Sequence, residues 1–365
     1  MINQERLIAT FLDLVRIDSP SGEEEKVGQY VTTRLRSLGF RVEMDQAGNV
    51  IGHHGDESRV NLLLNAHLDN VAPCRGVHAV IENDVIRSDG TTVLGADDKA
   101  GVAAILEALQ SMGADPDGLP LEVVFTAKEE LGLAGVKALA TDTLHAKMGI
   151  VVDYGTPLET VVVAAPAQDS LEATIIGRSA HAGLTPELGI SAIVVASRAI
   201  ARMPLGRIDD ETTANVGTIQ GGTARNIVPE EVRLVAEARS HDEAKLQRQT
   251  QAMIVPLEEE AHAFGARAEI KLQRLYPSFL LAENQPVLLL AQRAASRIGL
   301  NLKPRRTGGG SDANIFNARG IPSAILSAGY WDAHTTREQI TVADLVKVAE
   351  LLHSVLSLVK EDPDR

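Results

Sequence analysis

The chain has 365 residues, 44% of them hydrophobic and 23% charged, with a formal net charge of −14. That length suits two to three domains of about 150 residues each, and the acidic balance argues against a nucleic-acid partner, because phosphate binding needs a basic stripe and none appears. No apolar run reaches the roughly 20 residues of a membrane span, the charged N-terminal stretch lacks the hydrophobic region of a secretion signal, and the lone Cys74 cannot form an internal disulfide, so a cytoplasmic protein able to hold cations is expected.

Residues 3–16 and 23–38 carry apolar positions at helical spacing, separated by Ser19-Pro20-Ser21-Gly22, a turn able to cap the second helix. Strand-like runs follow at 40–45 and 49–53, joined by the turn Gln46-Ala47-Gly48-Asn49, and then at 60–66, 121–127, 148–152 and 160–164. Between them, Lys99 to Met112 is apolar and rich in alanine, as in a helix packed on a sheet. Strands alternating with helices predict an α/β fold with a mostly parallel sheet covered by helices.

The rhythm changes after about residue 168. Strand 170–177, helix 187–203, strands 212–220 and 231–239, helix 242–264 and strand 267–275 follow the order of a split βαβ unit. This reads as an α+β domain, 168–277, inserted into a discontinuous first domain, 1–167 and 278–365. The first rhythm then resumes with helix 286–299, the loop Gly308-Gly309-Gly310, strand 322–326 and a closing helix 342–360.

Several acidic or histidine positions sit just past short apolar runs: His67 after NLLLNA, Asp97 after VLGA, Glu129-Glu130 after LEVVFTAK, Asp153 after MGIVV, and His334 after AILSAGYWDA. Neighbouring strands lie about 5 Å apart, so such residues can converge at one sheet edge, the edge where open α/β sheets put their chemistry. A two-metal site needs about one bridging carboxylate and two further ligands per ion, and His67, Asp97, Glu130, Asp153 and His334 meet that count. One such residue alone would more often be structural; five in series point to metal. Strand alternation puts Asp69 on the side of His67, where it can accept the second ring N–H of a metal-binding imidazole. Asp97 and Asp98 open a helix, where the dipole favours anions. Of the Glu129-Glu130 pair, one carboxylate can bind metal while the other acts as a general base. The remaining histidines other than His181, namely His53, His54, His78, His145, His241, His262 and His353, lack acidic neighbours in sequence at ligand-like spacing and read as structural or solvated.

The series AHLD, GADDKAG, AKEELGLAG, VVDYG, GRSAHAG, TARNIVP, GGGSDANIF and AHTTREQI resembles the M20 metallopeptidase family, and within it the peptidase T-like group, over essentially the whole chain. The resemblance implies two divalent ions, zinc by preference with cobalt or manganese as alternatives, and an inserted lid domain that mediates homodimerisation. His67 and Asp153 would hold one ion, Glu130 and His334 the other, and Asp97 would bridge them across a cis peptide to Asp98. Glu129 would be the general base and Asp69 the orienter of His67. An aspartate at position 153, as in the tripeptidase and dipeptidase branches, tilts the expected substrate toward short peptides.

The same resemblance gives His181 a role as donor to the oxyanion in the partner subunit's site, where such a donor contributes roughly 3–4 kcal/mol. It also assigns Asn226 and Arg239 to the substrate's carboxylate or carbonyl, and an arginine fork binds both carboxylate oxygens at once. Gly309, Gly310 and Ser311 precede a helix-like stretch and would offer N–H groups to an anion. The expected activity is hydrolysis of short peptides from the amino end. An N-acyl-amino-acid amidohydrolase or carboxypeptidase shares the same core, and a catalytically silent binding homologue is the alternative from another class.

Overall fold

The computed structural model describes residues 1–113, 119–140 and 143–361. The chain divides into two compact units: unit 1 comprises Met1–Ala164, Leu280–Arg306 and the residues from Ser311 on, and unit 2 comprises Ala165–Phe279 with Thr307–Gly310. The glycine loop, predicted with the first domain, thus groups with unit 2. Gly310 approaches the Tyr276 ring so closely that a Cβ would lie 2.2 Å from it.

Unit 1 is built on a nine-stranded sheet in the order Arg41–Met44, Val50–His54, Leu121–Thr126, Leu62–His67, Met148–Val152, Ser323–Leu326, Thr160–Ala165, Phe279–Leu280, with Lys303–Arg306 paired to Thr160–Ala165. The four central strands, Leu121–Thr126 through Ser323–Leu326, run parallel. Every residue in those strands is buried, which is why they read as continuous apolar runs rather than as alternation: a parallel sheet is covered on both faces. Helix Ala96–Met112 packs on Leu62–His67 and against helices Gln4–Arg16 and Val342–Glu361, and its alanines at 100, 103, 104 and 108 are fully buried. Register aligns the strand ends. His67 pairs with Thr126, Asn65 with Val151, and Leu326 with Val152, so the residues following these strands emerge at one edge.

A four-stranded antiparallel sheet, Tyr330–Trp331, Gln339–Thr341, Val85–Ser88 and Ala79–Glu82, was not predicted. Its signal is the dipeptide Asn83-Asp84, with φ of 50° and 63°, flanked by AVIE and VIRS; asparagine and aspartate tolerate the two left-handed residues of a tight hairpin. The short helix Ala134–Ala138 was also missed.

Unit 2 has five strands in the order Gly206–Arg207, Thr212–Gly221, Glu231–Ser240, Ala167–Ile176, Arg267–Tyr276, with antiparallel neighbours throughout. Its core joins Leu171, Ile175, Val232 and Leu234 of the sheet to Val195, Leu246 and Leu257 of the helices Ala192–Arg202 and Glu243–Phe264. The first helix was predicted from 187 but starts at Ala192. Ser191 is its cap, its side chain accepting the Val194 N–H at 3.3 Å, and Pro186–Leu188 forms a separate 3₁₀ turn.

Candidate metal centre

His67 is the last residue of its strand and Asp153 follows the last residue of another. His67 Nε2 lies 3.1 Å from Asp97 Oδ1 and 3.8 Å from Asp153 Oδ1. The other oxygen of Asp97, Oδ2, lies 3.2 Å from His334 Nε2, which is 2.7 Å from Glu130 Oε1. Two ligand groups therefore share one aspartate: His67, Asp97 and Asp153 on one side, Asp97, Glu130 and His334 on the other.

Two of these residues are delivered differently from the strand-end prediction. The VLGA run before Asp97 is not a strand; Asp97 and Asp98 have non-helical backbone at the start of Ala96–Met112 and are joined by a cis peptide. Neither caps the helix. His334 lies in the loop between Tyr330–Trp331 and Gln339–Thr341, with φ of 62° and its ring half exposed. Glu129 and Glu130 sit in the turn after Leu121–Thr126. That turn is held by the buried Asn49, whose Oδ1 accepts the Ala127 N–H at 3.0 Å and whose Nδ2 donates to Gly135 O at 2.9 Å.

Asp69 does more than orient His67. The nearest acceptor for His67 Nδ1 is the Asp69 backbone carbonyl at 3.2 Å, with the Asp69 carboxylate at 3.5 Å. That carboxylate accepts the N–H groups of Glu129 at 2.9 Å and Glu130 at 3.2 Å and the Ser21 hydroxyl at 2.7 Å. It ties the histidine strand to the glutamate turn.

Burial opposes ionisation of Asp97, but the facing His334 and His67 rings outweigh it and hold its carboxyl below the usual range. Burial also disfavours a charged His67, yet the Asp69 and Asp97 carboxylates carry its imidazole well above its ordinary value. Asp97 and Glu130 push His334 up to about 10. Burial drives Asp153 up to about 8, with Asp97 adding to the rise and His67 opposing it. Burial likewise raises Glu129 well above a normal glutamate, and Asp153 reinforces it. Carboxylates outnumber the imidazoles that could balance them, which is the electrostatics of a cation site. Mixed imidazole and carboxylate donors in two groups sharing one aspartate fit two divalent ions.

Residues given no supporting role from the sequence hold the candidate centre. Asp98 Oδ2 accepts the His67 N–H at 3.1 Å. Asp312 is buried, accepts hydrogen bonds from the Thr126 hydroxyl and from Asn65, and is raised by burial to about 6. Glu338 accepts the N–H groups of Gly95 and Asp97. Their only sequence signals are Asp98 beside Asp97 and Glu338 four residues after His334.

In unit 2, His181 and Asn226 lie on paired segments: Ala182 N–H donates to Asn226 O at 3.0 Å, and Val228 N–H to Ala180 O at 2.9 Å. His181 Nδ1 accepts the Gly183 and Leu184 N–H groups at 3.2 and 3.1 Å. Fixed donors on Nδ1 leave the proton of the neutral ring on Nε2. The Arg239 fork pairs with Glu237 at 3.1 and 3.0 Å, and its Nη1 lies 3.4 Å from Gly308 O. In the glycine loop, Gly309 N–H donates to Thr307 Oγ1 at 3.2 Å and Ser311 N–H to Asn314 Oδ1 at 3.0 Å. Two histidines read as lacking acidic neighbours have them in space: His53 Nδ1 is 3.3 Å from Glu122, and His145 Nε2 is 3.6 Å from Glu57. Among the described residues, no helix is long and apolar enough to cross a membrane.

The family model described as Peptidase family M20/M25/M40 matches residues 63–358. The chain is 40% identical to an uncharacterised protein, YqjE, of Bacillus subtilis (strain 168), over 98% of this chain and 99% of that one. It is also 40% identical to the crystal structure of aminopeptidase PepT from Bacillus cereus ATCC 10987, with a TM-score of 0.85 and coverage of 98% and 99%. A tripeptidase structure from Staphylococcus aureus subsp. aureus Mu50 matches at 40% identity and TM-score 0.91, covering 99% of this chain and 100% of that one. With the match spanning all five candidate ligands, the chain belongs to peptidase family M20/M25/M40 and is a hydrolase of that family.

Proposed function

We propose that this chain is a di-metal aminopeptidase acting on short, tripeptide-like substrates. The observation that carries the reading is the placing of Asp97, with one carboxylate oxygen facing His67 and the other His334. The 40% identity to an aminopeptidase PepT and a tripeptidase supports the substrate class. His67 and Asp153 would hold one ion, Glu130 and His334 the other, with Asp97 between them. When bound, two such ions, zinc by preference with cobalt or manganese accepted, polarise the scissile carbonyl and acidify a water.

Glu129 takes a proton from the attacking water and returns it to the leaving amine. Its carboxyl lies in one cluster of ligand atoms with His67 and Glu130, beside the water such a centre would hold. Asp69 keeps Glu129 and Glu130 in place through their backbone N–H groups. His181, with its proton on Nε2, donates to the oxyanion in the partner subunit's site. Asn226 and Arg239 bind the substrate carbonyl or carboxylate, Glu237 holding the arginine side chain through its Nε and Nη2. Gly309, Gly310 and Ser311 would offer backbone N–H groups to the substrate's anionic end. The homodimer forms through unit 2, where Leu184, Leu188, Val194, Ile219 and Ile227 are exposed, and the enzyme works in the cytoplasm.

A substrate panel on metal-defined protein tests this. Tripeptides with free amino ends should lose their first residue, while N-acetylated tripeptides and N-acetyl amino acids remain intact. Preferential cleavage of N-acetyl amino acids would make the chain an amidohydrolase instead, and release of the last residue a carboxypeptidase.

A further inference from the structure

Glu338 lies outside the ligand set, yet its carboxylate spans the loop that carries the shared aspartate. Oε2 accepts the Gly95 N–H at 2.7 Å and Oε1 the Asp97 N–H at 2.8 Å, and the side chain is 1% exposed. These N–H groups precede the regular turns of Ala96–Met112, where a helix offers them no carbonyl partner. The same loop that holds Glu338 holds His334, four residues earlier, between Tyr330–Trp331 and Gln339–Thr341. One loop thus supplies a ligand and fixes the ligand opposite it.

The two halves of the centre differ in support. His67 and Asp153 are set by fully buried parallel strands, and the His67 N–H is further held by Asp98 at 3.1 Å. Glu130 and His334 come from loops, and the His334 ring is half exposed.

We propose that Glu338 is a positioning residue for one half of the centre: by fixing the Asp97 backbone and the His334 loop together, it makes the Asp97–Glu130–His334 position competent to bind, and that position is the weaker of the two. The proposal rests on the two-metal reading. Its test is titration of metal-stripped protein with Co²⁺, followed by calorimetry and by the visible absorption of the bound ion, in the wild type and in Glu338→Gln. Glutamine turns one acceptor oxygen into an N–H donor facing a backbone N–H. The wild type should take two equivalents of unequal affinity; Glu338→Gln should keep the first within about threefold and lose the second by about 10- to 100-fold, the usual cost of removing a partner behind a metal ligand. With two equivalents in the wild type, unchanged affinities or equal weakening of both in the variant overturns the role of Glu338 alone. Fewer than two in the wild type overturns the two-metal reading with it. Should the variant not fold, hydrogen exchange of metal-stripped wild type decides: Gly95 and Asp97 amides should be protected, and exchange at open-loop rates overturns the clamp.

Discussion

Asp69 shows how a single carboxylate outside the candidate ligand groups can tie their elements together. It accepts hydrogen bonds from Glu129 N, Glu130 N and Ser21 Oγ and lies 3.5 Å from His67 Nδ1. Burial opposes its ionisation, but the His67 ring, the Ser21 hydroxyl and the Glu129 N–H outweigh it and hold its carboxyl below the usual range. Asparagine at this position has one acceptor oxygen, and its amide would point donors at donors. Asp69→Asn should therefore lower metal affinity by about 10- to 100-fold, read by equilibrium dialysis against buffered zinc, and an unchanged affinity would contradict a role for Asp69 in holding the ligands. The five candidate ligands were legible because each follows an apolar run. Glu338 and Asp312 were not, because their partners lie far along the chain: Glu338 bonds Asp97 across 241 residues, and Asp312 bonds Asn65 across 247.

At the scale of elements, the turn that carries Glu129 and Glu130 is fixed from the neighbouring strand. Asn49 is fully buried and bonds Ala127 N, Gly135 O and Asp45 Oδ2. Gly135 belongs there because a Cβ would lie 1.8 Å from Ala127 O. Asn49→Ala strands a buried N–H and a buried carbonyl, so denaturant unfolding should show a loss of about 1–3 kcal/mol, with turnover falling alongside as the turn loosens. An unchanged unfolding midpoint would mean the turn is held elsewhere. The central strands were readable as apolar runs, and the two N-terminal helices as 3.6-residue periods. The antiparallel sheet beside the centre was not, since its strands run only two to four residues, too short for periodicity to emerge. Its hairpin could have been read from Asn83-Asp84; the pairing of Gln339–Thr341 with Val85–Ser88 could not, being set by packing across the chain.

Over the whole molecule, the change of rhythm near residue 168 and its reversal after Pro277 correspond to two units with separate sheets. The five candidate ligands and Glu129 all belong to unit 1, although unit 2 interrupts the chain between Asp153 and His334. On the proposed assignment, retention of metal and turnover of substrate are separable, the first requiring the five ligands and the second also requiring Glu129 as the base. The most direct measurement determines metal content and tripeptide turnover on the same preparation of Glu129→Ala. About two ions per chain should remain while turnover falls by about 10²–10⁴-fold, the usual contribution of a general base. Loss of metal from that variant, or turnover near that of the wild type, would contradict the assignment of Glu129 as the base beside a five-residue, two-metal centre.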